Sequence, residues 1–148
     1  MKPPTDPSPD RKEWERHRNA QGPAGMMLSI HDGFRRTSGI LLGEASLGAS
    51  SRERTGRLFA DLARTLHHHH HAEEVLLFPR LAAAGADAAK LSNDHRRLVE
   101  AIELVTRSVM SDESDLRSAL AEFDFLLQEH LDAEEAVAIP YLLENPWF

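Results

Sequence analysis

The 148-residue chain contains no cysteine, which excludes disulfides, thiolate catalysis and every zinc or iron–sulfur site built on thiolates. Aromatic residues are only 6% of the total, and no segment is rich in β-branched residues, so little favours a sheet. No apolar run approaches the roughly 20 residues of a membrane span, and the start Met1-Lys2-Pro3-Pro4 lacks the apolar stretch of a signal peptide. Basic residues are not in excess either. The net charge is −7, the wrong sign for a general nucleic-acid binder. These absences leave a soluble, cytoplasmic domain with neither nucleic acid nor membrane as partner, of a length that fits one core. What is abundant is Ala, Leu, Glu and Arg, all compatible with helix, and nine histidines, five of them consecutive at 67–71.

Residues 1–23 hold five prolines among charged residues and read as a flexible arm, with room for one short helix around Asp10–Asn19 and with Trp14 as a possible anchor. Residues 24–148 read as the domain. Four patterns at steps of three and four follow, the helix period. The first, from about Pro23 to Ala45, carries Leu28, His31, Phe34, Leu41 and Ala45. The second opens at Ser50, with Glu53 completing a capping-box pattern, and ends near Gly85; its stripe is Leu58, Leu62, Leu66, His69, Glu73 and Leu76. The third starts near Asp87 and carries Leu91, His95, Leu98, Ile102, Val105 and Val109. After the polar break 111–115, the fourth carries Leu120, Phe123, Leu127, His130, Glu134, Val137 and Tyr141. Short connections favour antiparallel neighbours, so the expected fold is all-α, an up-down-up-down four-helix bundle.

The polar residues in those stripes carry the information. An unpartnered polar group inside a bundle costs on the order of 1–3 kcal/mol, yet every stripe holds a histidine and two hold a glutamate one turn later. Residues 69–81 and 130–142 share the skeleton H-x-x-A-E-E-x-x-x-x-P-x-L, and His31 and His95 stand upstream of the two copies. The chain reads as a duplicated helical hairpin whose copies each supply one single histidine and one H-x-x-x-E pair. Pro79 and Pro140 should kink or end their helices just past the site. Residues four apart share a helix face, so His69 with Glu73 and His130 with Glu134 can address one centre. Four imidazoles and two carboxylates suit divalent first-row metals. They are about enough for two ions, each with two histidines and both bridged by the carboxylates. Neither the Glu-x-x-His signature of ferritin-type sites nor His-Glu-x-x-His is present.

Over residues 26–142 the arrangement resembles the hemerythrin-like, or HHE cation-binding, family of non-haem di-iron four-helix bundles. The resemblance rests on Ile30-His31-Asp32, the block from His69 to Pro79, Asp94-His95-Arg96-Arg97-Leu98, and the block from His130 to Pro140. It implies two iron ions as cofactor, with manganese or zinc as weaker alternatives. It also implies that His31 and His69 hold one iron, His95 and His130 the other, and that Glu73 and Glu134 bridge them with an oxo or hydroxo group. One position departs from the pattern. Oxygen-carrying hemerythrins have a further histidine one turn along the third helix, where this chain has Val99. An imidazole at Val99 is expected to fill that ligand position.

At 100° per residue, His67 and His71 fall on the far side of the second helix, and His68 and His70 on its flanks. His70 is read as solvated surface, with a supporting donor or a replacement fifth histidine ligand as alternatives. Tyr141 is read as a core residue, with hydrogen bonding or electron donation near the site as the alternative. Glu74 and Glu135 are read as exposed partners of basic residues or as supports for the ligands. The extra open positions implied by Val99 favour a di-iron oxidoreductase that breaks down peroxide, or uses dioxygen on a small substrate. The alternative is oxygen or nitric-oxide sensing, or iron handling, without turnover.

Overall fold

The computed structural model describes residues 9–47 and 52–146, with the side chains of Pro9, Leu47 and Glu113 outside the description. Among the described residues all regular structure is helical: α1 (Pro9–Arg16), α2 (Pro23–Leu47), α3 (Arg52–Ala72), a π-helical turn (Glu73–Leu77), α4 (Phe78–Ala83), α5 (Ala88–Ser108) and α6 (Glu113–Glu144). None of these helices is long and apolar enough to cross a membrane.

Local chemistry sets the boundaries. Pro23 opens α2, where its fixed φ suits the first helical position. Asp87 accepts the backbone N–H of Lys90 at 3.2 Å to cap α5, and Asp112 accepts that of Asp115 at 2.9 Å to cap α6. Gly85, at φ +91°, follows α4 in the conformation that glycine adopts without strain. The expected Ser50 cap lies outside the described residues.

Helix α6 packs on α2 and α5, and α3 packs on the same two, so the four longest helices form a closed ring of neighbours. Their interior is two apolar clusters. The first contains Phe34, Leu41, Phe59, Leu62, Leu66, Leu98, Val105, Phe123, Leu127 and Leu131. The second contains Met27, Leu28, Leu77, Phe78, Leu81, Leu91, Ile139 and Leu142. On every one of the four strings, the buried histidines and glutamates fall where one cluster gives way to the other. The order of the clusters along the chain also alternates: second then first on α2 and α5, first then second on α3–α4 and α6.

Three expectations need correction. Leu76 is exposed and Leu77 is buried instead. The cause is the π turn, in which the N–H of Phe78 bonds back to the carbonyl of Glu73. Such a turn takes one extra residue and shifts the inward face by one position. On α6 the inward face likewise drifts: Val137 and Tyr141 are half-buried and pack on the second cluster, whose core members there are Ala138, Ile139 and Leu142. Finally, of the kink or end expected at the two prolines, neither residue is an end. Pro79 sits in the first turn of α4, and α6 runs through Pro140 to Glu144. A single lost hydrogen bond there is outweighed by the burial of Ile139, Leu142 and Leu143.

In place of a free arm, residues 9–22 carry α1 and a turn fastened to the bundle. Arg11 donates to both carboxylate oxygens of Asp32, at 2.8 and 2.5 Å. Trp14 packs on the second cluster, and the Asn19 side-chain amide donates to the carbonyl of Leu143 at 2.7 Å. Residues 1–8 lie outside the described residues.

Phe59 is the bundle's clearest packing test. It is fully buried and meets Phe123 edge-to-face at 5.0 Å between ring centroids. Phe59→Ala is expected to lower unfolding stability by about 3–5 kcal/mol, read from urea denaturation followed by circular dichroism.

Candidate metal centre

The six residues singled out by the sequence converge at the level where the two apolar clusters meet. His31 comes from α2, His69 from α3, Glu73 from the first position of the π turn, His95 from α5, and His130 and Glu134 from α6. Apart from half-buried His69 all are buried, His31 and Glu134 completely.

Each carboxylate faces two ways. Oε2 of Glu73 lies 3.4 Å from Nε2 of His69, while its Oε1 lies 3.5 Å from Nε2 of His95. Oε1 of Glu134 lies 3.1 Å from Nε2 of His31, while its Oε2 lies 3.2 Å from Nε2 of His130 and 3.7 Å from that of His95. Across the centre, the Nε2 atoms of His31 and His69 stand 3.1 Å apart. The histidines thus form two sets, His31 with His69 and His95 with His130, and both glutamates lie between the sets with one oxygen turned to each.

The far sides of the rings are held by carboxylates. Nδ1 of His31 is 2.8 Å from Glu135, and Nδ1 of His95 is 2.9 Å from Glu74. Nδ1 of His130 is 3.5 Å from Asp94. An ionised carboxylate only accepts, so each of these Nδ1 atoms donates to its carboxylate, which fixes the ring with Nε2 toward the centre, where it is available to a cation. Glu74 and Glu135 occupy the same place in the two sequence repeats, and each holds the single histidine of the other hairpin. Their environments differ. Glu135 is buried and paired with Arg35 at 2.8 Å, whereas Glu74 is exposed and accepts from Ser92 at 2.8 Å.

Without a cation the centre is electrostatically unsatisfied. Both oxygens of Glu73, both of Glu134, and Nε2 of His70, His95 and His130 are buried with no hydrogen-bond partner. Burial, and then the neighbouring Glu134, push the Glu73 carboxyl up to about 12. Burial opposes ionisation of Glu134 too, but contacts from Glu73, His130, His31 and His95 hold it well below the usual carboxylate range. Burial would lower His31, yet Glu134 and Glu135 override it and raise the imidazole. Burial, with the neighbouring histidines, lowers His69 to about 4 and His70 to about 2, leaving both neutral and able to donate a lone pair at neutral pH.

Two groups offer atoms all within 4.8 Å of one another: His31, His69, Glu73 and Glu134, and His70, Glu73, His95 and His130. Nitrogen and carboxylate donors in that mixture fit a first-row divalent cation, and the orphaned atoms are those a cation would satisfy. The family profile described as the hemerythrin HHE cation-binding domain matches residues 15–142. The chain belongs to this family. Comparison with curated proteins and with solved structures gives no match. Membership in the hemerythrin HHE family makes cation binding the expected property of the chain, and the convergence of buried histidines and glutamates is its structural counterpart.

Two further expectations change in this hemerythrin HHE domain. His70, read from the sequence as solvated surface, is buried at 7% exposure and faces the centre beside His95 and His130. Its place was legible in the repeat: sixty-one positions later stands Leu131, an apolar residue directly after His130, and it too is fully buried. Val99, by contrast, is 45% exposed, and the inward residue next to it is Leu98. From His95 the inward face continues at the three-residue step, so position 99 points outward. Tyr141 packs on the second cluster, as a core residue would. His67, His68 and His71 are exposed, as read.

Two outcomes follow from this geometry. Val99→His is expected to leave metal content unchanged, checked by elemental analysis of the purified protein. Metal binding at pH 7 must displace the proton that Glu73 holds, because its raised pKa keeps it protonated there; His69 and His70, already neutral, release none. Loading is therefore expected to release about one proton from Glu73, with any proton held by His31 adding to it, and to tighten as pH rises. Calorimetric titration in two buffers of different ionisation heat measures the proton count.

Proposed function

We propose that the chain is a di-iron oxidoreductase, in which iron held by His31, His69, Glu73, His95, His130 and Glu134 reacts with peroxide, or with dioxygen and a small substrate. The up-down-up-down arrangement of α2, α3–α4, α5 and α6 belongs to the same reading, supported by the alternating order of the two apolar clusters along them. The observation that carries the proposal is the pair of carboxylates, each with one oxygen toward each histidine set, the placement a bridging ligand needs. Family membership supports a cation there, and the donor set favours iron or manganese over a lone zinc. Bound side by side, two such ions supply redox chemistry in two-electron steps.

The chain's own residues do the rest. Glu135, Glu74 and Asp94 fix the ring orientations of His31, His95 and His130, which keeps the Nε2 lone pairs aimed inward. Arg35 pairs with Glu135 and so holds its carboxylate in place as an acceptor for His31. The two apolar clusters close the centre from both ends and exclude bulk water. Half-buried His69 is the most exposed of the six residues, and a cavity lined by Asp94, Arg97 and His130 lies against the other histidine set.

The test is iron content together with peroxide consumption after anaerobic reconstitution with ferrous iron. About two irons per chain and catalytic loss of peroxide are expected. Glu134→Ala, which removes the carboxylate facing Nε2 of His31 and of His130, is expected to lose most of the iron and to abolish consumption. Two irons with stoichiometric, reversible oxygen or nitric-oxide binding and no turnover would favour the sensing or carrier reading. Full iron retention in Glu134→Ala and Glu73→Ala would overturn the bridging role.

A further inference from the structure

The geometry points to His70 as a seventh metal-binding residue, one that makes the two halves of the centre unequal. His70 sits on α3 one residue after His69. Its ring stacks on that of His95 with centroids 3.8 Å apart and planes at 14°, and it meets His130 edge-on at 5.3 Å. Its Nε2 is buried and has no hydrogen-bond partner, the same condition as Nε2 of His95 and of His130. These three residues and Glu73 present donor atoms that all lie within 4.8 Å of one another. A single carboxyl proton on Glu73 can quiet at most one of the three lone pairs. A cation quiets all three directly.

Packing alone does not account for the residue. The equivalent position of the second repeat is Leu131, which joins the first apolar cluster with no polar atom to satisfy. A leucine at position 70 would bury comparable volume without the cost of desolvating an imidazole. The two inward positions of the repeat thus differ in chemistry rather than in exposure, and the difference falls on one side of the centre. With His70 counted, one ion draws on three imidazoles and the other on the two of His31 and His69. For ions of equal coordination number, the His31/His69 ion then keeps more positions for an outside ligand. It is also the ion beside half-buried His69. This deepens the proposed function, on which it rests, by assigning the reacting position to the His31/His69 ion.

The experiment uses the full chain loaded anaerobically with cobalt(II), whose visible spectrum reports donor number and type. Metal content and chelator competition are read alongside. Wild type is expected to hold two cobalt ions and to bind one azide per chain. His70→Phe keeps a ring for stacking on His95 but removes the lone pair. It is expected to hold one of the two ions at least about tenfold more weakly, since even residues supporting a ligand bring losses of 10–100-fold, with a changed spectrum. In His70→Ala, added imidazole should enter the space left and restore the second ion. Two ions held with wild-type affinity and an unchanged spectrum in His70→Phe would overturn the assignment, as would a His70→Ala protein that imidazole does not restore. Two azides per wild-type chain would overturn the inequality. Fewer than two cobalt ions in the wild type would instead sink the di-metal reading itself.

Discussion

Glu73 and Glu134 place two carboxylates side by side in the interior of a helical bundle, where their oxygens meet only each other and the Nε2 atoms of histidines. Two such groups cannot both stay ionised in a medium of low dielectric unless positive charge lies between or beside them. The surrounding architecture answers that constraint. Four histidines bring their Nε2 atoms to within 3.1–3.7 Å of one or other carboxylate, and the apolar clusters on either side deny water as a substitute. In the cation-free state the pair compromises, with Glu73 keeping its proton while Glu134 is ionised. A cation removes the need for the compromise.

The two sequence repeats provide the layout, and they differ in how their histidines are braced. Glu74 and Glu135 brace each other's hairpin, so neither hairpin carries a complete set of oriented histidines alone. The brace on His31 is the stronger. Glu135 is buried, Arg35 holds it and also reaches Asp132 at 2.8 Å, and Asp32 links Arg35 to Arg11 of α1. Bidentate pairing with Arg11 and the charge of Arg35 depress Asp32 although its partial burial works the other way. The N-terminal helix thereby becomes part of the scaffold behind His31. The brace on His95, by contrast, ends at an exposed glutamate and a serine.

Much of the fold and of the six-residue centre was legible because both depend on local spacing. Steps of three and four located the helices, and a repeated His-x-x-x-Glu within apolar stripes cannot be accommodated in a core without a partner. The rest depends on small departures from ideal spacing or on contacts between distant segments. A fixed angle of 100° per residue placed His69 inward and His70 on a flank, but the buried residues of α3 and its continuation, Leu62, Leu66, His70, Glu73, Leu77 and Leu81, advance more slowly than that, and the π turn lies within their span. Position 99 failed for the related reason that the inward face after His95 steps by three to Leu98. The roles of Glu74, Glu135 and Asp94 involve contacts between separate helices, which periodicity along one helix does not encode. The docking of α1 depends on one arginine and one tryptophan in an otherwise arm-like composition.

The division of the interior into two apolar clusters has a mechanical consequence. A continuous core transmits loss of packing from end to end and so unfolds as one unit. Here the helices cross, at mid-height, a layer of buried histidines and glutamates that replaces the apolar side chains above and below it. That layer is a seam. A metal held there would tie all four helices across that seam, and the end containing α1, α4 and the C-terminal turns of α6 would then share its local stability with the end built on Phe59 and Phe123.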